Sequence, residues 1–171
     1  DFLAPMRVYG PGGRELTEAW REGAEAYYGF AVAGYPNLYL LLGPNSGLGH
    51  NSMVFMIEAQ VHMVLECLRR MEREQLATLE VRPEAQRRFN EDIGSRLAGA
   101  VWAKGGCTSW YLDERGKNVT LWPGYTIEYW LRTRRLKRAH FRATRLGERA
   151  AGTARPRGRW SRDHAAGIVE A

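Results

Sequence analysis

The chain has 171 residues, 44% of them hydrophobic and 26% charged, an ordinary globular composition with enough apolar material for one domain-sized core. Its net charge of +6 is uneven: residues 1–131 hold 13 basic and 16 acidic side chains, whereas residues 132–171 hold 12 and 3. No apolar run is long enough for a membrane span, and two distant cysteines, Cys67 and Cys107, fit neither a zinc ligand pattern nor a disulfide framework.

The chain begins Asp-Phe-Leu, with neither an initiating Met nor a basic region ahead of an apolar one. It reads as neither a secretory signal nor a natural start, which points to a piece of a longer cytoplasmic protein with reduced thiols. Asp1 to Tyr9 predicts a short strand, and Gly10-Pro11-Gly12-Gly13 a turn; no G-x-G-x-x-G can be written through that turn. Between Arg14 and Tyr27, the anchors Leu16 and Trp20 and the Tyr27/Tyr28 pair predict a short surface helix ending near Gly23, followed by an exposed loop.

Leu38 to Leu42 has the length of a buried strand, and a glycine-rich loop from Gly43 to Gly49 follows it. From about Ser52 to Met71, the spacing of Val54, Ile57, Val61, Val64, Leu68 and Met71 predicts a helix with those residues on its apolar face. Arg69 to Leu79 reads as the charged end of that helix. Pro83 in the first-turn position starts another, Glu84 to Leu97, with Phe89, Ile93 and Leu97 on one face. Glycines 99, 105 and 106 end it. Val101 to Tyr111 is rich in Trp and Tyr, Asp113 to Asn118 reads as a turn, and Val119 to Trp122 is a short β-like run stopped by Pro123-Gly124. Tyr125 to Leu131 is an aromatic segment expected to dock onto the core. Past Arg132 hydrophobic periodicity fades, which predicts a folded unit over 1–131 and a basic, largely disordered tail over 132–171.

The loop Gly43-Pro44-Asn45-Ser46-Gly47-Leu48-Gly49-His50-Asn51-Ser52 carries the sharpest chemistry. Strand, glycine loop and helix together make an anion cradle, because loop amides and the helix N-terminus, worth roughly half a unit of positive charge, face the ligand. A phosphate-binding P-loop needs a lysine here, and there is none. A dinucleotide fingerprint fits Gly47-x-Gly49-x-x-Ser52 only with Ser in the third glycine position, and no strand ending in an acid follows about 20 residues on. The reading left is a helix N-terminus aimed at the electron-rich edge of a flavin ring.

The segment from Gly34 to Gln60, GYPNLYLLLGPNSGLGHNSMVFMIEAQ, resembles flavin-containing monooxygenases of the Baeyer–Villiger type, including the hydroxyacetophenone monooxygenase group. Gly12-Gly13-Arg14-Glu15-Leu16 with Trp20 and Ala26-Tyr27-Tyr28-Gly29 is similar to the stretch that precedes this motif in the family. Thr108-Ser109-Trp110-Tyr111 with Gly116-Lys117 is similar to the stretch that follows it. The three motifs occur in the family's order over about residues 1 to 138. The resemblance implies an α/β chain that is the C-terminal portion of an FAD/NAD(P)-binding, Rossmann-like domain. It also implies FAD and NADP as cofactors and a ketone or heteroatom substrate, oxygenated through a C4a-peroxyflavin. Gly43 to Gly49 would lie along the flavin with His50, Asn51 and Ser52 beside them, and Trp110 would line the NADP and substrate side. Both dinucleotide fingerprints, the family signature and the segment with its active-site arginine are missing from this sequence. The resemblance therefore implies that the chain needs an upstream part of the same enzyme as its partner and is inactive alone.

Plainer roles stand beside these. His50 is also a loop cap, Asn51 a helix N-cap, and Trp110 a core aromatic. His62, Met53, Met56 and Met63 read as packed helix residues, Glu58 has no identifiable acid/base partner, and Asn118-Val-Thr120 is a chance glycosylation match. The other function class is a non-enzymatic module using the basic tail on nucleic acid or another acidic partner, the lesser reading for a tail of this composition. An isolated segment of an α/β domain is expected to leave strand edges and an apolar helix face without partners.

Overall fold

The computed structural model describes residues 6–48, 52–98 and 116–148. Gly49, His50, Asn51, Cys107, Trp110 and residues 149–171 lie outside them.

Pro11–Gly13 forms a 3-10 turn closed by the Gly10 N–H on Arg14 O at 2.9 Å. Ahead of it, the expected strand reduces, over residues 6–9, to one antiparallel bridge between Tyr9 and Glu15, with Met6 and Tyr9 exposed. The helix expected between 14 and 27 reduces to one turn, α1 (Leu16–Ala19). Glu15 offers no side-chain cap, and the Trp20 indole N–H donates to Glu25 O at 3.0 Å, which folds the chain back on itself. Ala26, Tyr27 and Tyr28 are then buried rather than looped into solvent.

Leu38 to Leu42 is no strand. Asn37 and Leu42 take left-handed φ of 62° and 53°, and only Tyr39 makes an isolated bridge, to Ala31. Helix α2 (Met53–Glu74) forms where its periodicity predicts and ends on Gln75 in the left-handed conformation. Its buried face is Met56, Ala59, Gln60, Met63 and Cys67, not the Val54/Ile57/Val61/Val64/Leu68/Met71 stripe. Ile57, Val64 and Met71 are half-buried on its shoulder, while Val54 is 59% and Leu68 50% exposed. A helix this rich in apolar residues satisfies the helical period on two faces, and periodicity alone does not choose between them.

The charged segment after α2 is a strand, β1 (Leu76–Val81), paired antiparallel with β2 (Phe141–Arg145). The register runs from Val81 opposite Phe141 to Leu76 opposite Arg145, with an irregularity between Leu76 and Thr78. Across it, the Glu80 carboxylate receives two Arg142 hydrogen bonds at 2.7 and 3.0 Å and a third from the Gly34 N–H at 2.7 Å. Those partners account for a carboxylate that is only 8% exposed. Along its other edge β1 meets Asn37, whose N–H donates to Leu79 O and whose Oδ1 accepts the Leu79 N–H.

Helix α3 (Pro83–Ala98) starts on Pro83 and buries Phe89, Ile93 and Leu97, as its pattern predicts. Val119–Trp122 is buried apart from Thr120 but forms a single parallel bridge, Leu121 to Gly47. Helix α4 (Thr126–Thr133) seats Tyr129 in the core and exposes Ile127, Trp130 and Leu131. Packing continues past residue 131: a 3-10 turn at Arg138–His140 leads into β2, and Phe141 is buried. The tail expectation is thereby corrected for residues 132–148. Low sequence periodicity there reflects a two-stranded pairing in which Phe141 carries the burial among exposed arginines.

The core is aromatic. Tyr28 and Phe89 rings lie 4.3 Å apart, Phe30 stacks on Tyr39 at 6.0 Å, and Trp122 meets Tyr129 edge-on at 5.1 Å. Outside Trp122, Glu128 holds Arg96 through two bonds of 2.8 and 3.0 Å and Arg132 at 2.8 Å, and both guanidinium groups lie over the indole. A smaller cluster of Leu16, Ala26, Val32 and Tyr35 packs with Trp20. No helix among the described residues is long and apolar enough to cross a membrane.

Two tests follow from this packing. Phe141→Ala should cost about 3–5 kcal/mol in urea unfolding, a loss that a disordered tail position would not show. Arg96 holds the Glu128 carboxyl below its ordinary value of 4.5, so the pair's contribution is complete above that pH and is lost as pH falls through the depressed value. Glu128→Gln should therefore flatten the acid limb of the stability–pH curve, read by thermal melts between about pH 5 and 3.

Candidate functional site

The loop ahead of α2 is built by close backbone approach. A Cβ on Gly43 would stand 2.4 Å from Gly29 O, and one on Gly47 would stand 2.9 Å from Thr120 O. These two glycines therefore let the loop press against its own chain. The Gly43 N–H donates to Gly29 O at 3.1 Å, Asn45 N–H to Val119 O at 2.8 Å, and Gly47 N–H to Thr120 O at 2.8 Å. Pro44 has no N–H, and the Leu48 N–H lies 3.2 Å from Met53 Sδ. The amides expected to cradle an anion between Gly43 and Gly47 are thus largely spoken for by protein carbonyls.

The side chains agree with this inward orientation. Gly43, Pro44, Asn45, Ser46 and Gly47 are buried and Leu48 is half-buried on the core. Ser46 Oγ donates to Gly43 O at 2.6 Å, and Asn45 Nδ2 donates to Asn118 O and Leu121 O. Trp122 N–H closes the dock by donating to Gly47 O at 2.8 Å. Ser52 is exposed at the N-cap position of α2, with extended φ and ψ of −68° and 121° and no side-chain capping bond. The first turn of α2 holds no acidic residue, so no carboxylate of that turn offsets the positive end of its dipole. Gly49, His50 and Asn51, which join the docked loop to this helix end, are outside the described residues, as is Trp110.

Three residues that hold the loop carry no obvious sequence signal. Gln60, fully buried on α2, accepts the Leu42 N–H on Oε1 at 2.8 Å and donates from Nε2 to Tyr28 O at 3.2 Å. Tyr129 O–H donates to the same carbonyl at 2.6 Å, and burial pushes its pKa above the ordinary range, so it remains a donor. Asn118 Oδ1 accepts the N–H groups of Thr120 and Leu121, shaping the strip against which the loop docks. The lone Gln among apolar helix residues and the Asn that closes the 113–118 turn were the available signals. His62 is exposed and its Nε2 lies 3.1 Å from Arg134 O, linking α2 to the end of α4. Cys67 is buried beneath α2 with its thiol pushed up to about 11, which suits a packed, unreactive side chain.

No protein-family profile matches the chain. Individual proteins do. A Baeyer–Villiger monooxygenase of Pseudomonas aeruginosa is 48% identical over 138 residues, covering 80% of this chain and 26% of that protein. An FAD-binding monooxygenase of Aspergillus niger is 40% identical over 133 residues, covering 75% of this chain and 22% of that one. Among solved structures, an oxidized steroid monooxygenase bound to NADP superposes with a TM-score of 0.75 at 25% identity, over 84% of this chain and 28% of its own. Sequence and fold are thus both similar to monooxygenases. The similarity is to one segment of proteins named Baeyer–Villiger monooxygenases, and the chain spans about a quarter of the length of the relatives it matches.

The docked loop makes a paired prediction. Gly47→Ala should destabilise the chain by about 1–3 kcal/mol through the clash with Thr120 O. Gly94→Ala, on exposed α3 with nothing near its new methyl, should stabilise it by about 0.5–1 kcal/mol. Urea midpoints of the two variants should move in opposite directions.

Proposed function

We propose that the chain is the C-terminal portion of the FAD-binding unit in an FAD- and NADPH-dependent monooxygenase. That enzyme would insert one oxygen of O2 beside a ketone carbonyl or onto a soft heteroatom. The observation that carries the reading is 48% identity to a Baeyer–Villiger monooxygenase across 80% of the chain. Bound flavin supplies the oxygen-transfer chemistry. This chain's part is to hold the cofactor's electron-rich edge against the N-terminus of α2, where the dipole favours developing negative charge.

The docked loop sharpens which residues do this. Gly43 to Gly47 form the buttress, their amides and side chains engaged with 118–122 and Gly29. Contact with flavin then falls to Leu48, Gly49, His50, Asn51 and Ser52 at the helix entrance. Trp110 keeps its proposed place on the NADP and substrate side.

A second feature supports partnership with further parts of such an enzyme. Val54, Val61, Leu65 and Leu68 form an exposed apolar stripe on α2, and Ile127, Trp130 and Leu131 are exposed on neighbouring α4. Apolar surface of this extent is a contact face in a soluble protein, and the remainder of the FAD-binding unit is the occupant that the chain's quarter-length match supplies.

Flavin absorbance tests the reading. The 171-residue chain should purify colourless, and the same chain joined to the sequence encoded upstream of Asp1 should purify yellow. A colourless product in both cases would sink the proposal.

A further inference from the structure

A cleft of about 290 Å³ opens between the N-terminal half of α3, Arg132 on α4 and the 3-10 turn that carries His140. None of the residues proposed to contact flavin lines it. Its floor is aromatic, formed by Tyr27, Tyr28 and Phe89, and its charged wall carries Arg82, Arg88 and Arg132. Tyr27 O–H and His140 Nδ1 are hydrogen-bonded at 2.7 Å in the same cleft.

The charges do not cancel. Arg132 is matched by Asp92 at 3.1 Å and Glu128 at 2.8 Å, which uses up the Asp92 carboxylate. Arg82 and Arg88 are exposed, and neither has a carboxylate within ion-pair distance among the described residues. Glu84 is the remaining acid on the wall, and it also lies in the field of Arg142. Uncompensated guanidinium groups around an aromatic-floored hollow are the arrangement that recognises a phosphoryl or similar oxyanion through paired N–H donors.

We propose that this cleft binds a small phosphate-class anion, held by Arg82, Arg88 and the His140 ring. Two further points agree. The volume is at the low end for small-molecule sites, so the ligand is a phosphate or a compact phosphomonoester, not a dinucleotide. Burial first, then the charges of Lys137 and Arg88, hold the His140 pKa below its ordinary value, which favours the neutral ring. In its Nε2–H tautomer the neutral ring accepts the Tyr27 hydroxyl proton on Nδ1 and keeps Nε2–H as a donor for the anion.

The test titrates inorganic phosphate into the 171-residue chain at low salt, followed by phosphorus NMR linewidth, with chloride as the reference anion. Saturable binding of phosphate above chloride is expected. The double variant Arg82→Gln/Arg88→Gln should bind at least about tenfold more weakly, while Arg87→Gln, on the same helix but outside the cleft, should leave affinity unchanged. A second readout is the imidazole titration of His140, which sits among Tyr27, Arg82, Glu84, Arg88 and Lys137. Bound phosphate should raise its pKa in the parent chain and not in the double variant. Phosphate binding no better than chloride, or equal loss in Arg87→Gln, would overturn the proposal. So would an unmoved His140.

Discussion

One carbonyl oxygen organises this chain. Tyr28 O, buried between α2 and α4, accepts both Gln60 Nε2–H and Tyr129 O–H. A carbonyl in that position would be costly without donors, and each donor comes from a different helix. Gln60 then passes the constraint on through Oε1, which holds the Leu42 N–H where the backbone turns left-handed. The long helix, the short helix, the aromatic turn and the entry to the glycine loop are thereby fixed by one connected set of hydrogen bonds. Their orientation has little freedom left once the aromatic rings pack around it.

That constraint also gives the loop internal contacts that its sequence did not announce. Glycines before a helix suggest a surface offered to a ligand, yet here the first of them bring two stretches of backbone into contact. A rigid buttress is as useful to a cofactor site as a contacting amide, because it fixes where the helix entrance stands. The fold therefore separates two jobs within ten residues: docking by Gly43 to Gly47, and exposure at Ser52.

How much could be read from the residues depended on the range of the forces involved. Helix α3 was readable because Pro83 and the Phe89/Ile93/Leu97 spacing are local signals that packing did not override. The family resemblance was readable because three motifs keep their order. The buried face of α2 was not, since apolar residues occupy two of its faces and the choice was made by Gln60's partners on Tyr28 and Leu42. Strand β1 was hidden for a related reason: Leu76–Val81 follows a charged helix end, and its partner β2 lies far downstream among arginines. The Leu38–Leu42 run failed as a strand because Asn37 and Leu42 turn the backbone left-handed on either side of Tyr39.

The separation of β1 from β2 also governs the order in which the chain can assemble. The residues between Val81 and Phe141 include α3 and α4, so the pairing closes a long loop, the kind of contact whose closure entropy slows folding. During synthesis β1 emerges well before β2, and Glu80 waits with it for Arg142. Until then the aromatic core lacks Phe141 and stands open on one side. A chain extended only as far as α4 therefore lacks the cover that Phe141 gives the aromatic core, and the strand that brings this cover presents Arg142 and Arg145 to solvent.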